Sequence, residues 1–315
     1  MNRRIFILAF AIATLTFPAC RSNSGSGAQK RQRPLIGVSF LTQTHAFYKD
    51  LEQTMRAEAS VRNLDLVIVA CEMDPAKQAS QIEDFVTQHV DAMIVAPCDS
   101  AAVIPYLARA EQAAIPVFTV DIAARGGAVV SHIASDNLGG GRLAAQTLAR
   151  LIGDRGEVII IDHPEVASVQ DRTRGFEEEM KGHPGVTIVG HPSASGQRAK
   201  AMAVMEDMLQ AHRNLKGVFA INDDSALGAV SVLDAARRTD IVVVGFDATA
   251  EAQDAIRKGG VLKADIAQHP IEIGKTTIDL VARRLAGEKV PPQVAVPVSV
   301  VDAASLSAGP PQSRE

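Results

Sequence analysis

Val218-Phe219-Ala220-Ile221-Asn222-Asp223-Asp224-Ser225-Ala226-Leu227-Gly228 is an apolar run, a sudden polar break, and then small and apolar residues at helical spacing. A continuous apolar run reads as a strand buried on both faces, as in a parallel sheet covered by helices. Working outward, the same rhythm returns. Strands are predicted at Leu35 to Phe40, Leu66 to Ala70, Ala92 to Ala96, Pro116 to Val120, Val158 to Ile161, Thr187 to Gly190, Val218 to Ile221 and Ile241 to Phe246. Helical patterns fall between them at 46–62, from Pro75, and at 101–113, 168–181, 198–212 and 224–237. Strands alternating with helices predict an α/β fold. Two such sets in 315 residues predict two doubly wound parallel-sheet lobes.

In open α/β sheets, ligands sit beyond the carboxyl ends of the strands. That rule selects Thr42 to Tyr48, Ala96 to Ser100, Asp121 to Ala124, His163 to Arg174, Asn222 to Ser225 and Asp247 to Thr249. The set is polar and comes from both halves, as capture by closure would require. Asp121 and Asp247 each end an apolar strand. Each is a candidate acceptor of paired hydrogen bonds from neighbouring hydroxyls, with a helix N-cap as the alternative. Asn222 can donate and accept, and Asp223 or Asp224 is expected to cap the following helix. Arg172 and Arg174 offer fixed donors, with one of the two expected to face solvent. Phe47 and Tyr48 could pack on the C–H face of a sugar or open the core face of the first helix. His45 is a further candidate in the same loop.

Several chemistries find no support. The charge count, 32 basic against 36 acidic for a net of −4, lacks the basic excess of a nucleic-acid surface. There is no His-Glu-x-x-His and no Cys/His cluster, so no metal is expected. No Gly-x-Ser-x-Gly elbow appears. Gly274-Lys275-Thr276 mimics the end of a phosphate loop, but His269 stands where the earlier Gly would be, and the segment reads as helix. Gly139-Gly140-Gly141 lacks dinucleotide spacing. Cys71 and Cys98 read as buried small hydrophobes rather than a disulfide framework.

The N-terminal segment differs in kind. Arg3 and Arg4, an apolar run from Ile5 to Leu15, and Phe17-Pro18-Ala19-Cys20 describe a secretory signal over 1–20. Ala-Cys at its end resembles a lipoprotein signal with Cys20 acylated; Phe17 replaces the usual Leu and leaves simple cleavage open. Residues 21–34, with Ser-Gly-Ser-Gly at 24–27, read as a flexible tether, and 309–315 as a disordered tail.

The chain resembles the ribose-binding group of periplasmic sugar-binding proteins, itself similar to the ligand-binding half of LacI-type repressors. The resemblance runs from about Leu35 to Ala304. Its most specific blocks are Val129 to Asn137, Val218 to Gly228, Val243 to Asp247 and Ile266 to Gln268. It implies a type I periplasmic binding protein of two lobes, 35–135 plus 269–296 and 136–268 plus 297–308. A hinge of three segments near Ser135-Asp136, Gln268-His269 and Val296-Pro297 would join them. It also implies sugar contacts at Phe47, Tyr48, Asp121, Arg172, Asn222, Asp247 and Gln268. Ribose binders have Asn at the positions of His45 and Ala96, Arg at Ile122, and a stacking Phe near Gly196. The N-terminal lobe has therefore lost polar contacts, which argues for a ligand with fewer hydroxyls or more bulk there.

The expected function is solute capture for an ABC-type sugar importer. Its partners would be a small sugar or polyol, an inner-membrane permease and, through the anchor, the membrane. The protein is expected to be exported, monomeric and free of cofactor, and not an enzyme. A sensory protein serving a chemoreceptor or kinase is the alternative. A repressor is not expected, because the stretch between Cys20 and Leu35 has no room for a DNA-binding helix-turn-helix.

Overall fold

The computed structural model describes residues 31–308. The expected signal, with Cys20, and the expected tail at 309–315 lie outside the described residues. The strands are β1 (Leu35–Phe40), β2 (Asp65–Ala70), β3 (Ala92–Val95), β4 (Val117–Val120), β5 (Ser131–Ser135), β6 (Gly156–Ile161), β7 (Val186–Gly190), β8 (Leu215–Ala220), β9 (Val242–Asp247), β10 (Leu262–Ala267), β11 (Gln293–Val296) and β12 (Ser299–Asp302). The helices are α1 (Ala46–Val61), α2 (Pro75–Thr87), α3 (Ile104–Gln112), α4 (Asn137–Leu151), α5 (Ala167–Met180), α6 (Arg198–Ala211), α7 (Asp223–Ala235), α8 (Ala250–Arg257), α9 (Pro270–Leu285) and α10 (Ala303–Ser307).

The strands form two six-stranded sheets, β11-β5-β4-β3-β1-β2 and β12-β10-β9-β8-β6-β7. The chain folds as two α/β lobes. The first sheet is wholly parallel. The second is parallel except that β12 runs antiparallel on β10. Apolar runs become central strands because helices cover both faces: β3 is buried along its length, and Ile159, Ile160 and Ile161 of β6 are all fully buried. Each such side chain contributes about 2 kcal/mol of burial.

Both sheets share one order, so each has its switch point beside its first strand, between β1 and β3 and between β6 and β8. A crevice opens there in each lobe. The chain passes between the sheets after β5, after β10 and after β11. These crossings lie together: Asp136 N–H donates to the Val296 carbonyl at 2.9 Å, and the Ser135 hydroxyl donates to Gln268 Oε1 at 2.6 Å.

Three local expectations change. Arg33 and Pro34 belong to the fold rather than to a tether. Arg33 donates to the Leu64 carbonyl at 3.0 Å and pairs with Asp65 at 3.2 Å, while Asp65 N–H reaches the Pro34 carbonyl at 2.9 Å. Cys71 and Cys98 are buried as expected, but they are joined in a disulfide. They directly follow β2 and lie just beyond β3, both of which pair with β1, so sheet register brings them together. Asn222, not Asp223 or Asp224, caps α7, its carboxamide oxygen accepting from Ser225 N–H at 3.0 Å. Gly139, Gly140 and Gly141 lie inside α4. Gly141 faces the Arg172 carbonyl of α5 too closely for any side chain, and this contact seats α5 against α4.

Candidate ligand-binding site

A cavity of about 360 Å³ lies between the two switch points. His45, Phe47, Tyr48, Asp121, Arg172, Asn222, Asp247 and Gln268 all line it. They arrive from separate elements. His45 caps α1, with Nδ1 accepting from Phe47 N–H at 3.2 Å. Phe47 and Tyr48 fill the first turn of α1 and are buried. Their rings meet edge to face at 5.3 Å, and Tyr48 also packs on Phe40 at 5.5 Å. They open the core face of α1, one of the two roles weighed for them, and they also line the cavity.

The two carboxylates occupy matching places. Asp121 follows β4 with φ 63°, and Asp247 ends β9 with φ 114°. Neither caps a helix; Thr249 caps α8. Left-handed backbone at non-glycine residues is strained and persists where surroundings hold it. Here the ties are specific. Tyr48 donates to Asp121 Oδ2 at 2.5 Å. Asp247 Oδ1 accepts from Gln268 Nε2 at 2.6 Å, and Oδ2 lies 3.3 Å from His45 Nε2 and accepts from Asp223 N–H at 3.4 Å. The His45 contact joins the lobes. Because Nδ1 of His45 accepts from the backbone, Nε2 carries the ring proton on the side facing Asp247.

Arg172 is buried and acts electrostatically on both carboxylates. Its Nε donates to Asn137 Oδ1 at 2.8 Å, one Nη donates to the Ile221 carbonyl at 2.6 Å, and its guanidinium sits 3.8 Å over the Phe246 ring. The same Nη is 3.9 Å from Asp247 Oδ1. Arg174, one turn face away, is exposed and pairs with Asp171. Asn222 sends Nδ2 to the Gly196 carbonyl at 3.0 Å. Asp223 and Asp265 lie buried behind Asp247 and hold its following loop, accepting from Thr249 N–H at 2.6 Å and Ala248 N–H at 3.0 Å.

The rest of the wall is uneven. Leu41, Met73, Ile122, Val166 and Val169 form its apolar part, while Thr42, Glu72, His163 and Arg198 add polar groups. Gly196 leaves space where a side chain would meet Asn222 Nδ2 at 3.2 Å and His163 Nδ1 at 3.4 Å. Glu72 and Met73 escaped sequence reasoning. They follow β2, so the strand-end rule that found the others applies to them as well. Glu72 accepts from the Thr42 hydroxyl at 2.8 Å and fixes the loop before His45.

Burial pushes Asp121 up to about 6, although Arg172 and the Tyr48 hydrogen bond act to lower it. Burial and the Asp121 charge push Tyr48 well above its ordinary value. Asp223 is pushed up to about 7 by burial and by Asp247, and Asp265 goes well above the carboxylate range through burial and Asp223. A carboxyl with a raised folded pKa binds its proton more tightly in the native state. Its contribution to stability is present below the unfolded value and is lost as pH rises through the folded one. The parent therefore loses stability from Asp121 between about pH 4 and pH 6, whereas Asp121→Asn does not titrate. Relative to the parent, Asp121→Asn should gain up to about 3 kcal/mol over that window. Urea unfolding of both proteins at a series of pH values measures this, and a difference that stays flat with pH refutes it.

A family model described as a periplasmic binding protein domain matches residues 36–289. The chain belongs to the periplasmic binding protein family. A ribose import binding protein of Salmonella typhimurium is 34% identical over 291 residues, covering 92% of this chain and 97% of that protein. A D-apiose import binding protein of Paraburkholderia graminis is 28% identical over 256 residues, 81% of this chain and 80% of that one. Among solved structures, an ABC transporter solute-binding protein from Mycobacterium smegmatis with bound glycerol superposes with a TM-score of 0.83. It is 36% identical and covers 89% of this chain and 98% of its own. In this periplasmic binding protein, the cavity sits where two crevices face each other, each built by the same strand order.

Proposed function

We propose that the protein is the solute-binding component of an ABC-type importer and captures a small carbohydrate or polyol between lobes that close on it. The observation that carries this reading is the pairing of Asp121 from one sheet with Asp247 from the other across one cavity, with Arg172 acting electrostatically on both. Two carboxylates accept hydrogen bonds from adjacent hydroxyls, a guanidinium donates to ring and hydroxyl oxygens, and aromatic edges cover C–H faces. The names of the relatives and the glycerol in the Mycobacterium smegmatis structure support the same class. All are binding proteins, and the protein is read as one rather than as an enzyme.

Closure would bend the three crossings beside Ser135, Gln268 and Val296, so that only the closed form contacts the ligand from both lobes. Export agrees with the family and with a disulfide, which persists in oxidising compartments. Lipid attachment at Cys20, action as a monomer and handover to an inner-membrane permease complete the reading.

The ligand is one with fewer hydroxyls, or more bulk, toward the first lobe: a deoxy sugar, a modified pentose or a polyol. Supporting this are Ile122, Met73 and Leu41 on that side of the cavity, and Gly196 opposite. Thermal melting against pentoses, hexoses, deoxy sugars and polyols tests both levels. A ligand at 100 times its Kd stabilises by about 2.7 kcal/mol, roughly 5 °C or more here. A shift with a deoxy sugar, modified pentose or polyol exceeding that with D-ribose is expected. D-ribose binding tightest of all would remove the fewer-hydroxyl reading, and no shift with any carbohydrate or polyol would remove the carbohydrate reading.

A further inference from the structure

We propose that Ser100 is a clasp for lobe closure, capping helix α5 from the opposite lobe, and that the Cys71–Cys98 disulfide holds it in position. The proposal rests on the binding-protein reading only in that closure is what captures solute; Ser100 is not one of the residues lining the cavity.

Helix α5 starts at Ala167, behind Val166, which offers no capping side chain. The first amides of a helix need outside acceptors. Ala167 N–H finds one in the Ser100 hydroxyl, at 2.9 Å. Ser100 belongs to the loop between β3 and α3, so this cap comes from the other lobe. A second bond runs beside it, from Ser100 N–H to the Glu165 carbonyl at 3.2 Å. Ser100 is 1% exposed, so water is excluded from both bonds. The helix they seat carries Arg172 into the cavity.

The Ser100 loop is held from behind. Asp99 Oδ1 accepts from Ala101 and Ala102 N–H, both at 2.8 Å, and Arg125 N–H donates to the Ser100 carbonyl at 2.7 Å. Cys98 N–H donates to Oε1 of the buried Gln78 at 2.8 Å, and Cys98 is bonded to Cys71. Cys71 leads into Glu72 and Met73, both with left-handed backbone, and they form part of the cavity wall. The disulfide thus ties the clasp to the first lobe's binding loop. When the lobes part, α5 loses its cap to water; when they close, the cap adds to whatever the ligand contributes.

The test is pulsed-EPR distance measurement between one label at Gln112 on α3 and one at Glu206 on α6. The labels are attached by azide chemistry so that the disulfide stays intact. The full chain is read alone and with D-ribose, xylitol or glycerol. The parent should show a short-distance population. Ser100→Ala should lower the closed-to-open ratio by roughly 2- to 30-fold, the ratio equivalent of a lost N-cap. Ser100→Thr, which keeps the oxygen, should restore it. Ser100→Gly reads the same quantity if Ser100→Ala does not fold. Replacing both cysteines by Ser should lower the ratio in the parent and add little in Ser100→Ala. Equal distributions in parent and Ser100→Ala under every condition, or a parent with no short-distance population, would overturn the clasp. A cysteine effect of equal size in both backgrounds would overturn the role of the disulfide.

Discussion

Asp247→Ala abolishes solute capture while the protein stays folded. Asp247 ends β9 in the second lobe, and its two oxygens meet Gln268 at a crossing, His45 from the first lobe and the Asp223 backbone. It therefore touches both lobes and one strand of the crossing between them. Truncating a buried, hydrogen-bonded charge at a binding interface costs about 2–5 kcal/mol, a loss of roughly 30-fold to several thousand-fold in affinity. The fold bears the change because Asp247 lies in a buried cluster with Asp223 and Asp265. Its charge pushes up Asp223 and, less strongly, Asp265, so its removal relieves repulsion and offsets the lost hydrogen bonds. Titration calorimetry with whichever sugar or polyol shifts the parent's melting most, alongside urea unfolding, reads both effects. Unchanged affinity would place the site elsewhere, and a collapse in stability would make Asp247 a structural residue.

Arg172→Met has the opposite profile: binding is lost and stability falls as well. The guanidinium ties α5 to α4 through Asn137 and to the residue just past β8, Ile221, covers Phe246, and offsets Asp121 and Asp247. Methionine keeps part of the volume but leaves the acids without their buried cation. Breaking a buried pair in this way costs about 3–5 kcal/mol, roughly 10 °C of Tm for a chain of this size. The double variant with Asp247→Ala should recover part of that loss, because one stranded charge goes with the other. A double variant no more stable than Arg172→Met alone would show that packing around the guanidinium, not charge balance, sets the cost.

The strands that sequence reading found are those built on runs of mostly apolar residues. β3 and the last four residues of β6 and of β8 are buried on both faces, and composition alone marks such runs. β5, β10, β11 and β12 were missed because polar residues interrupt them, Ser131, Asp265, Gln293 and Ser299 among them. Pairing with their neighbours makes them strands; their own composition does not. Helix α4, which holds Gly139-Gly140-Gly141, was not among the predicted helices. The reason for Gly141 is tertiary, the close approach of α5 there.

The cavity-lining residues were legible because topology converts position in the sequence into position in space. In a parallel sheet, every residue just past a strand's carboxyl end lies on one edge, so Asp121, Asn222 and Asp247 could be gathered without coordinates. What each side chain does there was less visible. That Asn222 donates to the Gly196 carbonyl and that Tyr48 donates to Asp121 depend on distances of about 3 Å between segments far apart in the chain.

By itself, then, the sequence determined the layer architecture, the two-lobe rhythm and the edge on which a ligand would sit, because apolar periodicity and the alternation of strand and helix are local properties that add along the chain. Only the tertiary structure decided which partners meet across that edge. The Cys71–Cys98 bond, the Ser100 cap on α5 and the His45–Asp247 contact each join segments whose separation in sequence carries no sign of their nearness. They meet because register within each sheet and the crossings between sheets fix where strand ends come to lie.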